Sequence, residues 1–336
     1  MQLCENCRVT TQSISRPVCI LGLGLIGGSL LRDVAACDAS VFGFNRSPSG
    51  AQAARDEGFD VSDDLEATLL RAQEVGALIV LAVPMPAVAS LLDDIVRLAP
   101  DCGVTDVVSV KAQVWELIKQ RGMEDRYVGG HPMAGTADSG WSAAQLGLFK
   151  GAAWVVTFDH AVEREPSQEW VNLWVDVALL ATMVGAQVIP ARVDAHDKAV
   201  ARISHLPHVL AETLAIVGDH GGALTLSLAA GSFRDGTRVA GSAPSLVRAM
   251  CETNHEALLT ALDEALALLQ DARANLVADS PSVEELVDAG YRSRIRYEAR
   301  SLGKGGRPVL RVRPGQAGWV QQLLHAEDVG ARVDVF

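Results

Sequence analysis

The sequence predicts an α/β domain, a doubly wound parallel sheet with helices on both faces, followed by an all-α domain. Three observations carry this. From Pro17 to about Pro190, short β-branched runs alternate with helical stretches, the pattern of parallel strands joined by crossover helices. A glycine-rich turn, Gly22-Leu23-Gly24-Leu25-Ile26-Gly27, joins the first run to the first helical stretch. After Pro190 the strand signal stops, and long stretches show only helical spacing.

In chain order, strands are expected at 18–21, 41–44, 78–83, 104–108, 127–130 and 154–158. Helices are expected between them at 27–36, 49–57 and 86–98, with Pro86 in a first turn, where its missing N–H loses no bond. The second half predicts helices at 194–218, 244–271 and 283–300. In the middle one, Leu258, Leu259, Leu262, Ala265 and Leu269 recur every three to four residues and make one apolar face. Residues 307–312 and 331–336 read as two strands around a short helical piece, too little for an independent domain. The expected organisation is a tail over 1–16, a sheet domain over 17–190, a helical domain over 191–300 and a short extension over 301–336. No internal repeat is visible.

Composition narrows the function. Of 336 residues, 49% are hydrophobic and 21% charged, which excludes a disordered or low-complexity chain. Lys plus Arg number 29 against 41 Asp plus Glu, and the net charge of -12 has the wrong sign for a general binder of nucleic acid or anionic membrane. An anionic ligand has to be caught locally. The richest apolar stretches carry Pro84 and Pro86, or Gly185 and Gln187, so no membrane span is expected. The first residues have no apolar leader-like run, so a cytoplasmic protein with its six cysteines as thiols is expected. Cys4 and Cys7 form a C-x-x-C, but no second pair or nearby His completes a zinc site, and no metal is expected.

The glycine turn follows an apolar strand and opens a helix, the context that makes G-x-G-x-x-G specific. Gly22 permits the tight turn, Gly24 lets the backbone approach a pyrophosphate, and Gly27 lets the helix lie close on the strand. The helix N-terminus, at Leu25 and Ile26, then faces the phosphates. Residues 17–190 are therefore expected to form a Rossmann-type domain that binds NAD(P). Roughly 20 residues past such a loop, an NAD enzyme usually offers a carboxylate to the ribose hydroxyls. Here stand Asn45, Arg46 and Ser47. With no carboxylate to repel a 2′-phosphate and Arg46 able to pair with one, NADP is preferred and NAD remains possible.

Ligands of open α/β sheets bind beyond the carboxyl ends of the strands. Two polar segments fall there. Ser109-Val110-Lys111 follows the strand expected at 104–108, and His131-Pro132-Met133-Ala134-Gly135-Thr136 follows the one at 127–130. His131 is well placed for proton transfer; Lys111 reads equally as a first-turn surface residue. In the helical half, Ser204-His205-Leu206-Pro207-His208 sets two imidazoles three residues apart, with His196-Asp197 upstream. A polar stripe between helices explains them, and so does a metal phosphohydrolase site, although the latter leaves the glycine loop without a role. The loop-like stretch Phe233 to Ala240 contributes Arg234 and Arg238, local positive charge suited to an anion.

Taken in order, the glycine loop with Gly28 and Ser29, Ser109-Val110-Lys111, the His131 motif, Ser204 to His208 and Thr237-Arg238-Val239-Ala240 resemble the prephenate/arogenate dehydrogenase family of tyrosine biosynthesis, over about 18–300. The resemblance implies an N-terminal nucleotide domain, a helical domain that makes a homodimer, and oxidative decarboxylation of a cyclohexadienyl substrate, prephenate or arogenate. It implies that His131 polarises or deprotonates the ring hydroxyl and that Ser109 helps hold that hydroxyl and His131. It places Thr136, Ser204, His205 and His208 along the substrate and Arg238 on a substrate carboxylate. Two departures bear on substrate contacts: Ala137 stands where many relatives have Glu, and Val247 where a Trp is common. The residues after Arg300 are too few for a regulatory ACT domain. Two alternatives remain at this stage: a hydroxyacid or imine reductase of the same two-domain plan, and a sensor that binds NADP without turnover.

Overall fold

A computed structural model describes residues 14–135, 138–301 and 306–336. Strands β1 (Val18–Leu21), β2 (Val41–Phe44), β3 (Val61–Ser62), β4 (Leu78–Leu81), β5 (Gly103–Asp106) and β6 (Tyr127–Val128) form one parallel sheet in the order β3-β2-β1-β4-β5-β6. From β1 the chain winds outward to β3, then crosses back to β4 and winds the other way. The carboxyl ends of β1 and β4 therefore border the crevice in which such sheets take their ligands.

Successive residues of a strand face opposite sides, and β1 shows why its four residues are all apolar. Val18 and Ile20 enter one core with Leu30, Leu31 and Val34 of the helix Leu25–Ala36 and with Trp170, Trp174 and Val177 of the helix Gln168–Met183. Cys19 and Leu21 enter the other, with Leu69 of Leu65–Val75, Leu92 and Ile95 of Val88–Leu98, and Val114 and Ile118 of Ala112–Lys119. Each fully buried Leu or Ile contributes about 1.5–3 kcal/mol.

The strand expected at 127–130 is two strands. Gly129 N donates to Thr157 Oγ1 (2.9 Å) rather than to a strand carbonyl, which ends β6. The chain continues as β7 (Gly130–Pro132), antiparallel to β8 (Ala153–Val156), and β8 pairs in parallel with β9 (Gln187–Pro190). In this second sheet His131 lies opposite Val155. Strands β10 (Val309–Val312) and β11 (Arg332–Val335) pair in parallel around the helix Trp319–Val329. Trp319, Leu323 and Val333 join the core of Trp170 and Trp174, with the Trp319 and Trp174 ring centroids 5.8 Å apart.

By compactness the first unit is residues up to His196 together with Val309–Phe336, and the second is Asp197–Pro308. The sheet unit thus runs beyond residue 190 and takes back most of the C-terminal extension. The tail is anchored where it is described: Arg16 Nε pairs with Asp176 Oδ2 (2.8 Å), and Ser15 Oγ donates to Asp176 Oδ1 (3.1 Å). Cys4 and Cys7 lie outside the described residues. Cys37, half-buried just past the helix Leu25–Ala36, is disulfide-bonded, which corrects the expectation of six thiols, because cysteine spacing alone does not reveal pairing. Cys19, Cys102 and Cys251 are free.

The second unit is helical. From Val193–Val200 the chain passes through a π-helical turn, Ala201–His205, into Leu206–His220, and then through Gly222–Ser227, Gly231–Thr237, Pro244–Thr253, His255–Val277 and Glu284–Ser301. The helix expected over 244–271 is broken at Asn254, whose buried amide donates to Asp197 O (2.8 Å). The stretch around Arg234 expected as a loop is the helix Gly231–Thr237, followed by a 3-10 turn at Arg238–Gly241. Gly231 and Gly236, weak helix formers, disguise it in the sequence. Among the described residues no helix is long and apolar enough to cross a membrane.

Candidate active site

Gly22 has φ +99°, a left-handed conformation that disfavours any side chain, and a Cβ there would lie 2.5 Å from Ala82 O. A Cβ on Gly27 would run into the Gly22 carbonyl, so the helix can lie this close to β1 only with glycine there. Gly24 is different: nothing lies within 4 Å of the position its Cβ would take. It is the N-cap of Leu25–Ala36, with no side-chain cap and no acid in the first turn. A bare helix N-terminus beside open space fits the pyrophosphate of a dinucleotide, through N–H donors and the helix dipole.

Past β2, Asn45 N donates to Ser62 O (3.0 Å) and holds the end of the strand. Ser47 caps the helix Pro48–Asp56 by accepting from Gly50 N (3.3 Å), and its hydroxyl lies 3.0 Å from that of Ser49. Arg46 is exposed and forms no ion pair with any described residue. No carboxylate stands in the first turn of that helix.

Beneath the mouth of the sheet, Asp106 at the end of β5 collects three partners: Val108 N (2.8 Å), the Tyr127 hydroxyl (2.5 Å) and Lys111 Nζ. Lys111 also donates to Gly130 O (2.7 Å). At 1% exposure it is not the surface residue that its position in a first turn suggested. Ser109, in the turn above, is half-buried, and its hydroxyl makes no hydrogen bond to a described residue.

His131 is half-buried on β7. Its Nδ1 lies 2.8 Å from Nε2 of His196, a residue 2% exposed on Val193–Val200, and the rings meet edge to face at 75°. The sequence places His196 only beside Asp197, 65 residues from His131, and no local signal ties the two. Val193 N donates to both oxygens of Asp159 (3.1 and 2.9 Å), a carboxyl that burial pushes up to about 6. Thr136 and Ala137, in the segment after His131, lie outside the described residues.

The remaining candidates lie in the helical unit. Ser204 and His205 belong to the π-helical turn, a distortion that recurs at functional sites. His205 is buried with Nδ1 3.2 Å from the Asn254 amide, and the Nδ1–H of His208 donates back to Ser204 O (2.9 Å). Arg238 is exposed and forms no ion pair with a described residue, whereas Arg234 lies 3.6 Å from Asp235. Among the described residues no group of three His, Cys, Asp or Glu side chains is arranged to hold a metal.

Comparison with known proteins agrees with this layout. The prephenate dehydrogenase nucleotide-binding domain matches residues 29–188, and the prephenate dehydrogenase dimerization domain matches 192–289. A crystal structure from Corynebacterium glutamicum, provisionally assigned as a prephenate dehydrogenase, is 63% identical, with a TM-score of 0.93 over 96% of this chain and 100% of that one. Prephenate dehydrogenase of Lactococcus lactis is 30% identical over 87% of this chain and 80% of its own. The structure of Synechocystis arogenate dehydrogenase is 29% identical, with a TM-score of 0.67 over 84% of this chain and 99% of that one. With a nucleotide-binding sheet, a helical second unit and both family domains in order, this chain belongs to the prephenate dehydrogenase family.

Proposed function

We propose that the chain catalyses the oxidative decarboxylation of prephenate or arogenate to 4-hydroxyphenylpyruvate or tyrosine, with NADP preferred over NAD. The observation that supports this most is the His131 imidazole at the mouth of the sheet, its Nδ1 already engaged by His196. His131 takes the proton of the ring hydroxyl as that group becomes a carbonyl and carbon dioxide departs with aromatisation of the ring. A nicotinamide bound in this domain supplies the hydride acceptor. Ser109, half-buried in the turn after β5, helps hold the substrate hydroxyl and His131. Arg238 takes a substrate carboxylate, as an exposed guanidinium without an ion pair to a described residue can. Thr136, Ser204, His205 and His208 complete the substrate contacts.

For the cofactor, Gly22, Gly24, Leu25, Ile26 and Gly27 hold the pyrophosphate, and Asn45, Arg46 and Ser47 face the adenine-side ribose. The exposed Arg46, which forms no ion pair with a described residue, and the absence of an acid in the first turn of Pro48–Asp56 support the preference for NADP. We further infer a homodimer through the helical unit, which leaves Ile203, Val217, Leu224, Leu228, Val277 and Tyr291 exposed. Light scattering checks it: twice the chain mass is expected, and a monomer at micromolar concentration overturns it. The activity is tested by following nicotinamide reduction with each substrate and each cofactor. Cofactor binding without turnover of either substrate would favour a sensor and overturn the reading.

A further inference from the structure

We propose that His196 is the positioning residue that makes His131 a base, and that Glu327, from the strand–helix–strand segment at the C-terminal end, holds His196 in place. The proposal rests on the reading of His131 as the proton acceptor. His131 Nδ1 and His196 Nε2, 2.8 Å apart, share one proton. If His196 donates it, a neutral His131 carries its own proton on Nε2 and has no basic lone pair to offer. If His131 donates it, the basic lone pair of His131 is on Nε2 and His196 is the acceptor, with its own proton on Nδ1. Only the second arrangement gives a base.

His196 keeps this geometry only if its helix stays put, and the first turn of that helix is fastened from outside. Glu327 Oε2 accepts the backbone N–H of Arg192 (2.5 Å), while Oε1 accepts from Arg192 Nε (2.9 Å) and Nη2 (2.6 Å). The carbonyl oxygen of Arg192 in turn accepts the amide of His196 (2.9 Å). Glu327 therefore grips the residue whose carbonyl accepts the His196 amide, and the His196 ring in turn reaches His131. The Arg192 side chain is 46% exposed, and ion pairs at such places contribute little to stability. What the three-point grip supplies is direction: it fixes both the peptide plane and the guanidinium of the residue that begins the turn. Glu327 belongs to a segment beyond residue 289, where the matched family domains end.

The test uses the full-length protein, selective 15N labelling of histidine, ring-nitrogen NMR to read the tautomer of His131, and steady-state kinetics. His131 in the native protein is expected as the Nδ1–H tautomer. His196→Leu is expected to shift it toward Nε2–H and to lower kcat on the order of 10²-fold, with the KM for the nicotinamide cofactor unchanged. His196→Gln, whose amide oxygen reaches where the imidazole Nε2 stood, is expected to restore most of both. Glu327→Ala is expected to lower kcat by roughly tenfold, at unchanged cofactor KM and with the same direction of tautomer shift. Should Glu327→Ala fail to fold, Glu327→Leu, which fills similar space but offers Arg192 no acceptor, is read in its place. An unchanged His131 spectrum and kcat in His196→Leu would overturn the proposal, and unchanged values in the folded Glu327 variant would overturn its second link. If the native protein turns over neither prephenate nor arogenate, the reading of the activity fails, while the ring spectra still decide whether His196 and Glu327 set the tautomer.

Discussion

Lys111 Nζ donates to the carbonyl oxygen of Gly130, one residue before His131, at 2.7 Å. The same ammonium is paired with Asp106, and the two side chains are 1% and 0% exposed. A pair this deep contributes little net attraction but costs a great deal when split. Lys111→Met leaves the Asp106 charge uncompensated and is expected to lower stability by about 3–5 kcal/mol in urea unfolding. Adding Asp106→Asn should recover part of that loss, and equal stability of the single variant and the native protein would refute the coupling.

His131→Asn keeps a polar contact of similar reach but cannot accept the substrate proton. Turnover should fall by about 10²- to 10⁴-fold while NADP still binds. Because only an unprotonated imidazole serves as the base, kcat/KM of the native enzyme should drop toward acid pH, and that limb should be missing from the variant. Native turnover in the variant would make His131 structural.

Arg46→Asp places a carboxylate where a 2′-phosphate would lie. The ratio of kcat/KM for NADP over NAD should invert. Equal efficiency with both cofactors in the native protein would count against the role given to Arg46.

Arg238 can bind a carboxylate but cannot act as a base near neutral pH. Arg238→Ala should therefore raise KM for the substrate by roughly 10-fold or more, the loss expected for one charge-assisted contact of about 1.5–3 kcal/mol. A fall in kcat at unchanged KM would move Arg238 from binding into the chemical step.

Asp33 Oδ1 accepts Gly147 N (2.7 Å), and Oδ2 has no partner among the described residues. Burial pushes this carboxyl from 3.8 up to about 6. Between those values the folded state keeps a proton that the unfolded chain has lost, so stability falls as pH rises through the window and the penalty is complete above it. Asp33→Asn retains the acceptor and removes the charge. It should raise stability by roughly 1–3 kcal/mol near neutral pH and give no gain below the window, as read from unfolding at both pH values.

How far the sequence speaks depends on the range of the interaction. Strands β1 and β2 are legible to the residue, because four consecutive apolar residues end at Gly22 or Asn45. The glycine loop is legible because sterics within one βα turn dictate it. Strand β3 has only two residues, and the helix Gln168–Met183 is buried around much of its circumference, so neither leaves a clean period. The π-helical turn changes hydrogen-bond register without changing composition. Lys111 looks like a surface cation until Asp106 is seen folded beneath it, and His196 gains its meaning only when β7 brings His131 to it.

Trp319, Leu323 and Val333 fill the same core as Trp170 and Trp174, yet the whole helical unit lies between them in the chain. On the ribosome the sheet unit therefore cannot close when its first two hundred or so residues emerge. Trp170 and Trp174 must wait, uncovered on that side, while the helical unit is made. Vectorial synthesis thus lets the helices be made before the sheet unit's core can be completed, and leaves that face of the nascent sheet open until β11 has emerged.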